Sequence, residues 1–195
     1  MVKNLWNSNG LRERFLLVND TGQFRIAVIG PTGSGKTTLS RQIGKKLEIT
    51  PVDLDALHWE AGWKPAPLEI FRSEVNQALS APAWVTSGNY SKVRDLVWSK
   101  ANTLVWLDYS LAVCGWRLFK RTLQRVFTQE KLWNGNHESF RGQFLSKDSL
   151  FLWLVQSQPR QRREYPNLFQ QPEYKHLEIH RFESPKETQN WLDRL

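Results

Sequence analysis

Residues 24–38 read FRIAVIGPTGSGKTT, and this run decides the architecture. Phe24 to Ile29 is a short β-rich apolar stretch ended by Gly30, which suits a strand buried on both faces. Gly30-Pro31-Thr32-Gly33-Ser34-Gly35-Lys36-Thr37 then fits the phosphate-loop pattern GxxxxGK[ST] at every fixed position. Glycines are needed there because the loop must turn successive backbone N–H groups inward around phosphate oxygens, a conformation that a Cβ obstructs. Residues Gly35 to Leu47 follow as a helix whose N-terminal dipole also favours the anion. The pattern assigns Lys36 to the β- and γ-phosphates, the Thr37 hydroxyl to Mg²⁺ and Thr38 to the α-phosphate.

Outward from this run, strands and helices alternate. Ile49 to Asp53 fits a second strand, and Pro67 to Ser80 has helical spacing at Leu68, Phe71, Val75 and Leu79. Trp84 to Thr86 is a third strand clipped by Gly88, and Ser91 to Lys100 a short helix. Thr103 to Leu107 (TLVWL) is β-branched and aromatic and makes the clearest later strand. A long basic helix over Leu111 to Phe127, a Gly- and Asn-rich loop over Thr128 to Leu145, and a helix over Lys147 to Tyr165 ended near Pro166 come next. Lys175 to Arg181 is a last strand, and Pro185 opens a closing helix. This order predicts an α/β three-layer sandwich: a mostly parallel sheet with right-handed crossovers and helices on both faces. Residues 1–23 read as an N-terminal extension to one domain over 24–195.

Composition agrees with one packed domain. Of 195 residues 40% are hydrophobic, with ten Trp, ten Phe and four Tyr to bury, so low-complexity disorder is excluded. The lone Cys114 excludes an intrachain disulfide, and His58, His137, His176 and His180 have no zinc spacing. No apolar run approaches the ~18 to 20 residues of a membrane span, and the first residues lack a signal peptide's apolar middle. A cytoplasmic protein without a membrane partner is the expectation.

The net charge is +8, and most of it is concentrated. Between Ser110 and Arg163 ten basic residues (Arg117, Lys120, Arg121, Arg125, Lys131, Arg141, Lys147, Arg160, Arg162, Arg163) face three acids (Glu130, Glu138, Asp148). An anion is the partner such a stretch fits, against the plainer reading of a solvated helix face. Arg117, Arg121 and Arg125 recur every four residues and line one helix face, able to bring guanidiniums over a triphosphate. Arg160, with Arg162 and Arg163, can close from the other side of a lid over about 117–163. Arg121 and Arg160 are the expected catalytic arginines, and Arg117 joins Arg121 in holding nucleotide.

No NKxD-type guanine signature is present, and Asp108 is followed by Tyr109 rather than Glu, unlike many motor ATPases. A small kinase remains, moving the γ-phosphoryl group of ATP to a small acceptor. The rival is a nucleic-acid-associated ATPase or binding module using the same basic stretch, disfavoured because the charge lies within the lid. Asp53 and Asp55 flank Leu54 at the carboxyl end of the second strand, where open α/β sheets bind ligands. Asp55 is the expected base toward an acceptor hydroxyl, with Asp53 and Asp108 on the Mg²⁺ shell; a cap or turn role is the alternative for each. Trp59 and Trp63 can stack a base or sugar or simply pack, and Cys114 reads as an inert core thiol.

The runs IAVIGPTGSGKTTLSRQIGKKL, VDLDALHWEAGW, WVTSGNYSKVRDL and LVWLDYSLAVCGWRLFKRTLQR resemble the DNA topology modulation (FlaR-like) group of adenylate-kinase-like P-loop proteins. The resemblance covers about residues 24–195, and the LDALHW and GNYS blocks are its most specific parts. It implies a five-stranded parallel sheet of nucleoside/nucleotide-kinase type, ATP and Mg²⁺ as ligands, and an acceptor site including Asn89, Tyr90 and Arg94. It also implies an acid just before Gly-Asn-Tyr, holding a Mg²⁺-bound water, where this sequence has Ser87; Asp53, Asp55 or Asp108 would then supply the charge.

Overall fold

A computed structural model describes residues 23–128, 132–136 and 149–195. Five parallel strands form one sheet in the order β2-β5-β1-β6-β7: β1 (Arg25–Ile29), β2 (Pro51–Asp53), β5 (Trp84–Ser87), β6 (Thr103–Leu107) and β7 (Glu178–Phe182). Two further short strands, β3 (Trp59–Glu60) and β4 (Lys64–Pro65), make a separate antiparallel hairpin. Helices α1 (Lys36–Leu47), α2 (Leu54–His58), α3 (Leu68–Ala78), α4 (Arg94–Lys100), α5 (Leu111–Thr128), α6 (Leu150–Leu168) and α7 (Pro185–Arg194) complete the described chain. The expected α/β architecture with a five-stranded parallel sheet is what the chain adopts.

Strand parity explains why both sheet faces are covered. Successive residues of β1 point to opposite sides, so Ala27 and Ile29 join one apolar layer with Phe71, Trp84 and Trp98. Ile26 and Val28 join the other, with Leu39, Ile43, Leu118 and Trp191. Burying a side chain such as Ile26 or Val28 contributes ~1.5–3 kcal/mol, so a polar residue at either would break the layer. Among the described residues, no helix is long and apolar enough to cross a membrane.

Caps set the element ends. Glu48 closes α1 in the left-handed region at φ 57°, donating its N–H to the Gly44 carbonyl, while Lys45 and Lys46 face the negative end of the helix dipole. Ser184 caps α7 by accepting the Glu187 N–H, and the Glu187 carboxylate accepts the Glu183 N–H one position before the cap.

Two expectations need correcting. Pro166 does not end α6: the helix carries Pro159 and Pro166 inside it and runs to Leu168. The lost hydrogen bonds are outweighed by burial of Tyr165, whose ring packs edge-on against Trp98 at 5.9 Å and Trp106 at 5.5 Å. The segment over 91–100 is not one helix but a 3₁₀ turn over Ser91–Val93 leading into α4. Helix α2 and the β3–β4 hairpin, too short to show a period, were not foreseen. Of the expected lid, residues 129–131 and 137–148, with Lys131, His137, Arg141 and Lys147, lie outside the described residues, as do 1–22 of the extension.

Candidate active site at the carboxyl edge of the sheet

The loop between β1 and α1 lies at the carboxyl edge. Gly33 has φ 75°, which favours glycine, and a Cβ there would run into the Cys114 carbonyl in the first turn of α5. The phosphate-loop pattern is therefore also a packing requirement, seating the start of α5 against the loop. Thr32 and Gly33 are half-buried, and Ser34 is buried with its hydroxyl lacking a partner among the described residues. A loop without obstructing Cβ atoms, with an orphaned hydroxyl and a lysine drawn into it, suits a phosphate group. Lys36 Nζ turns back to donate to the Pro31 carbonyl at 3.0 Å. Burial lowers the pKa of this ammonium, opposed by the Asp55 charge and reinforced by Arg121. Arg117 donates to the Ser34 carbonyl at 3.0 Å and lies over the Tyr109 ring at 5.4 Å. Lys36, Arg117 and Arg121 thus meet at the loop, and Thr37 and Thr38 open α1 beside them.

Across the edge, β2 pairs with β5 so that Asp53 stands opposite Ser87. Asp53 ends the strand and caps α2: its Oδ1 accepts the Asp55 N–H at 3.2 Å, with the Ser87 hydroxyl at 3.5 Å. Its Oδ2 accepts the indole N–H of Trp133 at 3.2 Å. Asp53 and Asp55 are gathered by this cap turn, not by strand alternation, since Asp55 is already in the first turn of α2. Burial, then the Asp55 charge, raises the pKa of Asp53, against the Asp55 and Trp133 N–H groups. Asp55 Oδ1 accepts the Tyr90 hydroxyl at 2.5 Å. Burial, followed by the carboxylate beside it, holds that phenol far above its ordinary pKa. His58 packs on Tyr90 with ring centroids 4.4 Å apart, and burial lowers its pKa.

The other residues singled out from the sequence divide sharply. Arg94 lines a small pocket with Asn89, Tyr90, Trp98 and Tyr165, its guanidinium 5.1 Å from the Trp98 ring centroid. Asn89 also borders that pocket, yet its amide is committed to the phosphate loop: Oδ1 accepts the Gly30 N–H at 3.0 Å and Nδ2 donates to the Gly30 carbonyl. The expected acceptor contact from this amide is thereby corrected to a brace. Asp108 is not placed as an open metal ligand. It is buried, with Oδ1 on Arg162 at 2.6 Å and Oδ2 on Arg181 at 2.5 Å. Both oxygens are already bound, so this carboxylate ties α6 and β7 to the end of β6.

Arg160 is not brought to the loop. Two residues apart on a helix, Arg160 and Arg162 face different sides; Arg162 reaches Asp108, while Arg160 lies exposed over the Trp153 ring at 5.6 Å. Trp59 and Trp63 stack edge to face at 5.7 Å, and Trp63 meets Trp133 at 6.3 Å, so these rings form one cluster. Cys114 is a buried free thiol whose pKa burial pushes up to about 11.

Sequence reading missed Trp133 and Asn136. Asn136 is buried; its Oδ1 accepts the Gly62 and Trp63 N–H groups at 2.7 and 3.0 Å, and its Nδ2 donates to the Glu60 and Trp133 carbonyls. Residues 132–136 are thereby fastened to the β3–β4 hairpin beside Asp53. A tryptophan set inside the Asn- and Gly-rich run was the available signal.

Neither models of protein families nor the curated proteins produce a match to this chain. Solved structures do. A shikimate kinase from Bacteroides thetaiotaomicron is 18% identical with a TM-score of 0.48, covering 88% of this chain and 95% of that one. A gluconokinase from Sinorhizobium meliloti is 18% identical with a TM-score of 0.49, covering 88% and 94%. A deoxyadenosine kinase from M. mycoides is 13% identical with a TM-score of 0.42, covering 87% and 99%.

Proposed function

We propose that this chain is an ATP-dependent phosphotransferase acting on a small acceptor, within the FlaR-like, adenylate-kinase-like group it resembles, and that it works in the cytoplasm. The domain spans 24–195, with 1–23 as an extension and 117–163 as the lid. The observation that carries the reading is the glycine loop at the carboxyl edge of the sheet, with Lys36 turned onto the Pro31 carbonyl at 3.0 Å and Arg117 of α5 on the Ser34 carbonyl at 3.0 Å. A phosphate-binding lysine and an arginine from the lid helix therefore converge on one loop.

In this reading the backbone from Gly30 to Gly35, with Lys36 and Thr38, cradles the triphosphate, and Arg117 and Arg121 neutralise it from α5. Mg²⁺, when bound, would neutralise charge on the phosphates, and Thr37 and Asp53 are the residues that would hold it; Asp108 is withdrawn from that role because each of its oxygens carries a guanidinium, whereas those of Asp53 meet only neutral donors among the described residues. Ser87 then needs no acidic replacement, because Asp53 stands beside it in the sheet. Asp55 takes the proton of the acceptor hydroxyl while the new oxygen–phosphorus bond forms and the bond from the γ-phosphorus to the bridging oxygen breaks, leaving ADP with the electron pair. Arg121 stabilises the charge of that transition state.

The acceptor lies in the pocket of Tyr90 and Arg94. Among the described residues no carboxylate pairs with Arg94, and the adjacent Asp95 is held by Arg72 at 2.6 Å, so an acceptor bearing an anionic group fits this wall. The nucleic-acid reading loses ground because Arg162 is committed to Asp108.

The test is ADP release with Mg²⁺-ATP over a panel of nucleosides, nucleotides, polyols and sugar acids, beside ATP calorimetry on Lys36→Ala. The expected result is at least one acceptor well above background, and a Lys36→Ala protein that stays folded with ATP affinity or turnover down at least ~10-fold. Unchanged ATP affinity and turnover in Lys36→Ala would refute the phosphate-loop reading. Oligonucleotide binding with no acceptor active would favour the nucleic-acid module.

A further inference from the structure

Tyr90 stands where the β5 edge, α2 and the β3–β4 hairpin meet. A phenol has one proton to donate, whereas a carboxylate oxygen only accepts. The Tyr90 hydroxyl therefore donates its proton to Oδ1 of Asp55, at 2.5 Å.

The ring carrying this hydroxyl is itself held. Phe71 packs edge-on against Tyr90 at 5.2 Å, His58 packs on it at 4.4 Å, and His58 also meets Phe71 at 4.9 Å and Trp59 at 4.7 Å. Asp53 is fixed by other donors, the Asp55 N–H and the Trp133 indole. Each carboxylate therefore has its own anchor, and the like charge of Asp53 is opposed at Asp55 by a directed hydrogen bond.

We propose that Tyr90 is a positioning residue: with its ring held by Phe71 and His58, its hydroxyl clamps one oxygen of Asp55 so that the other faces the acceptor hydroxyl. This rests on the reading of Asp55 as the base. A base must come within ~2.6–3.2 Å of the proton it takes, and a displacement of ~1 Å costs about 100-fold. Two neighbouring carboxylates in one short cap turn would otherwise drift apart by repulsion. Tyr90 keeps its proton throughout, since burial and the adjacent carboxylate both favour the neutral phenol.

The experiment compares wild type with Tyr90→Phe, Asp55→Asn and the double variant. Turnover is measured with Mg²⁺-ATP and whichever acceptor of the panel, water included, gives the highest ADP release. Tyr90→Phe keeps the packed ring and is expected to lower kcat ~10- to 100-fold with the KM for ATP and for the acceptor within about threefold. The double variant should fall no further than Asp55→Asn, because the phenol acts only through that carboxylate. Multiplying losses, or a raised acceptor KM with wild-type kcat in Tyr90→Phe, would overturn the proposal; the second outcome would make Tyr90 a direct acceptor contact. Should Tyr90→Phe not fold, wild-type kcat in Tyr90→Leu overturns the proposal and a kcat loss at constant KM supports it. Wild-type kcat in Asp55→Asn would refute the base itself, whereas a large loss there beside a fully active Tyr90→Phe refutes only the clamp.

Discussion

Replacing Asn89 by alanine separates a brace for the phosphate loop from a contact with the acceptor. The amide of Asn89 pairs with both backbone polar groups of Gly30, accepting its N–H at 3.0 Å and donating to its carbonyl. Gly30 is buried, and a Cβ built on it would lie 2.6 Å from the Leu107 carbonyl, so this peptide has no room to turn toward other partners. Truncation orphans one donor and one acceptor at ~1–3 kcal/mol each if they stay dry, and water entering the vacated space lowers the sum to about 3 kcal/mol. For a chain of this size that is a Tm about 6 to 12 °C lower. Asn89→Asp has the same shape and keeps the acceptor for the Gly30 N–H, yet it sets an oxygen against the Gly30 carbonyl, so it should lose at least as much. Calorimetric unfolding, ATP titration and the acceptor KM give the readout. The expected pattern is a lowered Tm and ATP affinity ~10-fold weaker, with the acceptor KM unmoved. Wild-type Tm and ATP affinity beside a raised acceptor KM would refute the brace and return Asn89 to the acceptor pocket.

Two further outcomes follow from the buried ionisable groups. Burial lowers the pKa of His58 below the ordinary 6.5, so the unfolded chain binds the proton more readily; the stability this neutral ring supports is fully present above about pH 6.5 and lost as pH falls below it. Urea unfolding of His58→Phe between pH 8 and 5 should show a smaller loss on the acid side than wild type, and an equal slope would assign the dependence to other groups. Asp108→Asn should destabilise the chain by about 2 kcal/mol through loss of charge at the Arg162 and Arg181 contacts. The Mg²⁺ dependence of ATP turnover should stay unchanged, and a shift in it would restore Asp108 to the metal.

The glycine pattern of the loop after β1, the five strands and the place of Lys36 at the start of α1 are legible in the sequence because their determinants are local. A loop that turns its N–H groups inward needs glycine, a strand covered on both faces needs an unbroken apolar run, and a helix needs its spacing, all within a few residues. The contacts not foreseen from the sequence depend instead on partners far along the chain. Gly30 and Asn89 are 59 positions apart, Asp108 and Arg162 54, and Asp53 and Trp133 80. Nothing in the neighbourhood of Asn89 distinguishes an amide aimed at a substrate from one aimed at the loop; β5 lying beside β1 decides it. Arg160 and Arg162 are equivalent in a charge count, and only the packing of α6 against the sheet turns one to Asp108 and leaves the other over Trp153. Local sequence determines which groups can do the chemistry, and the closing of distant strands against one another decides which of them already have a partner.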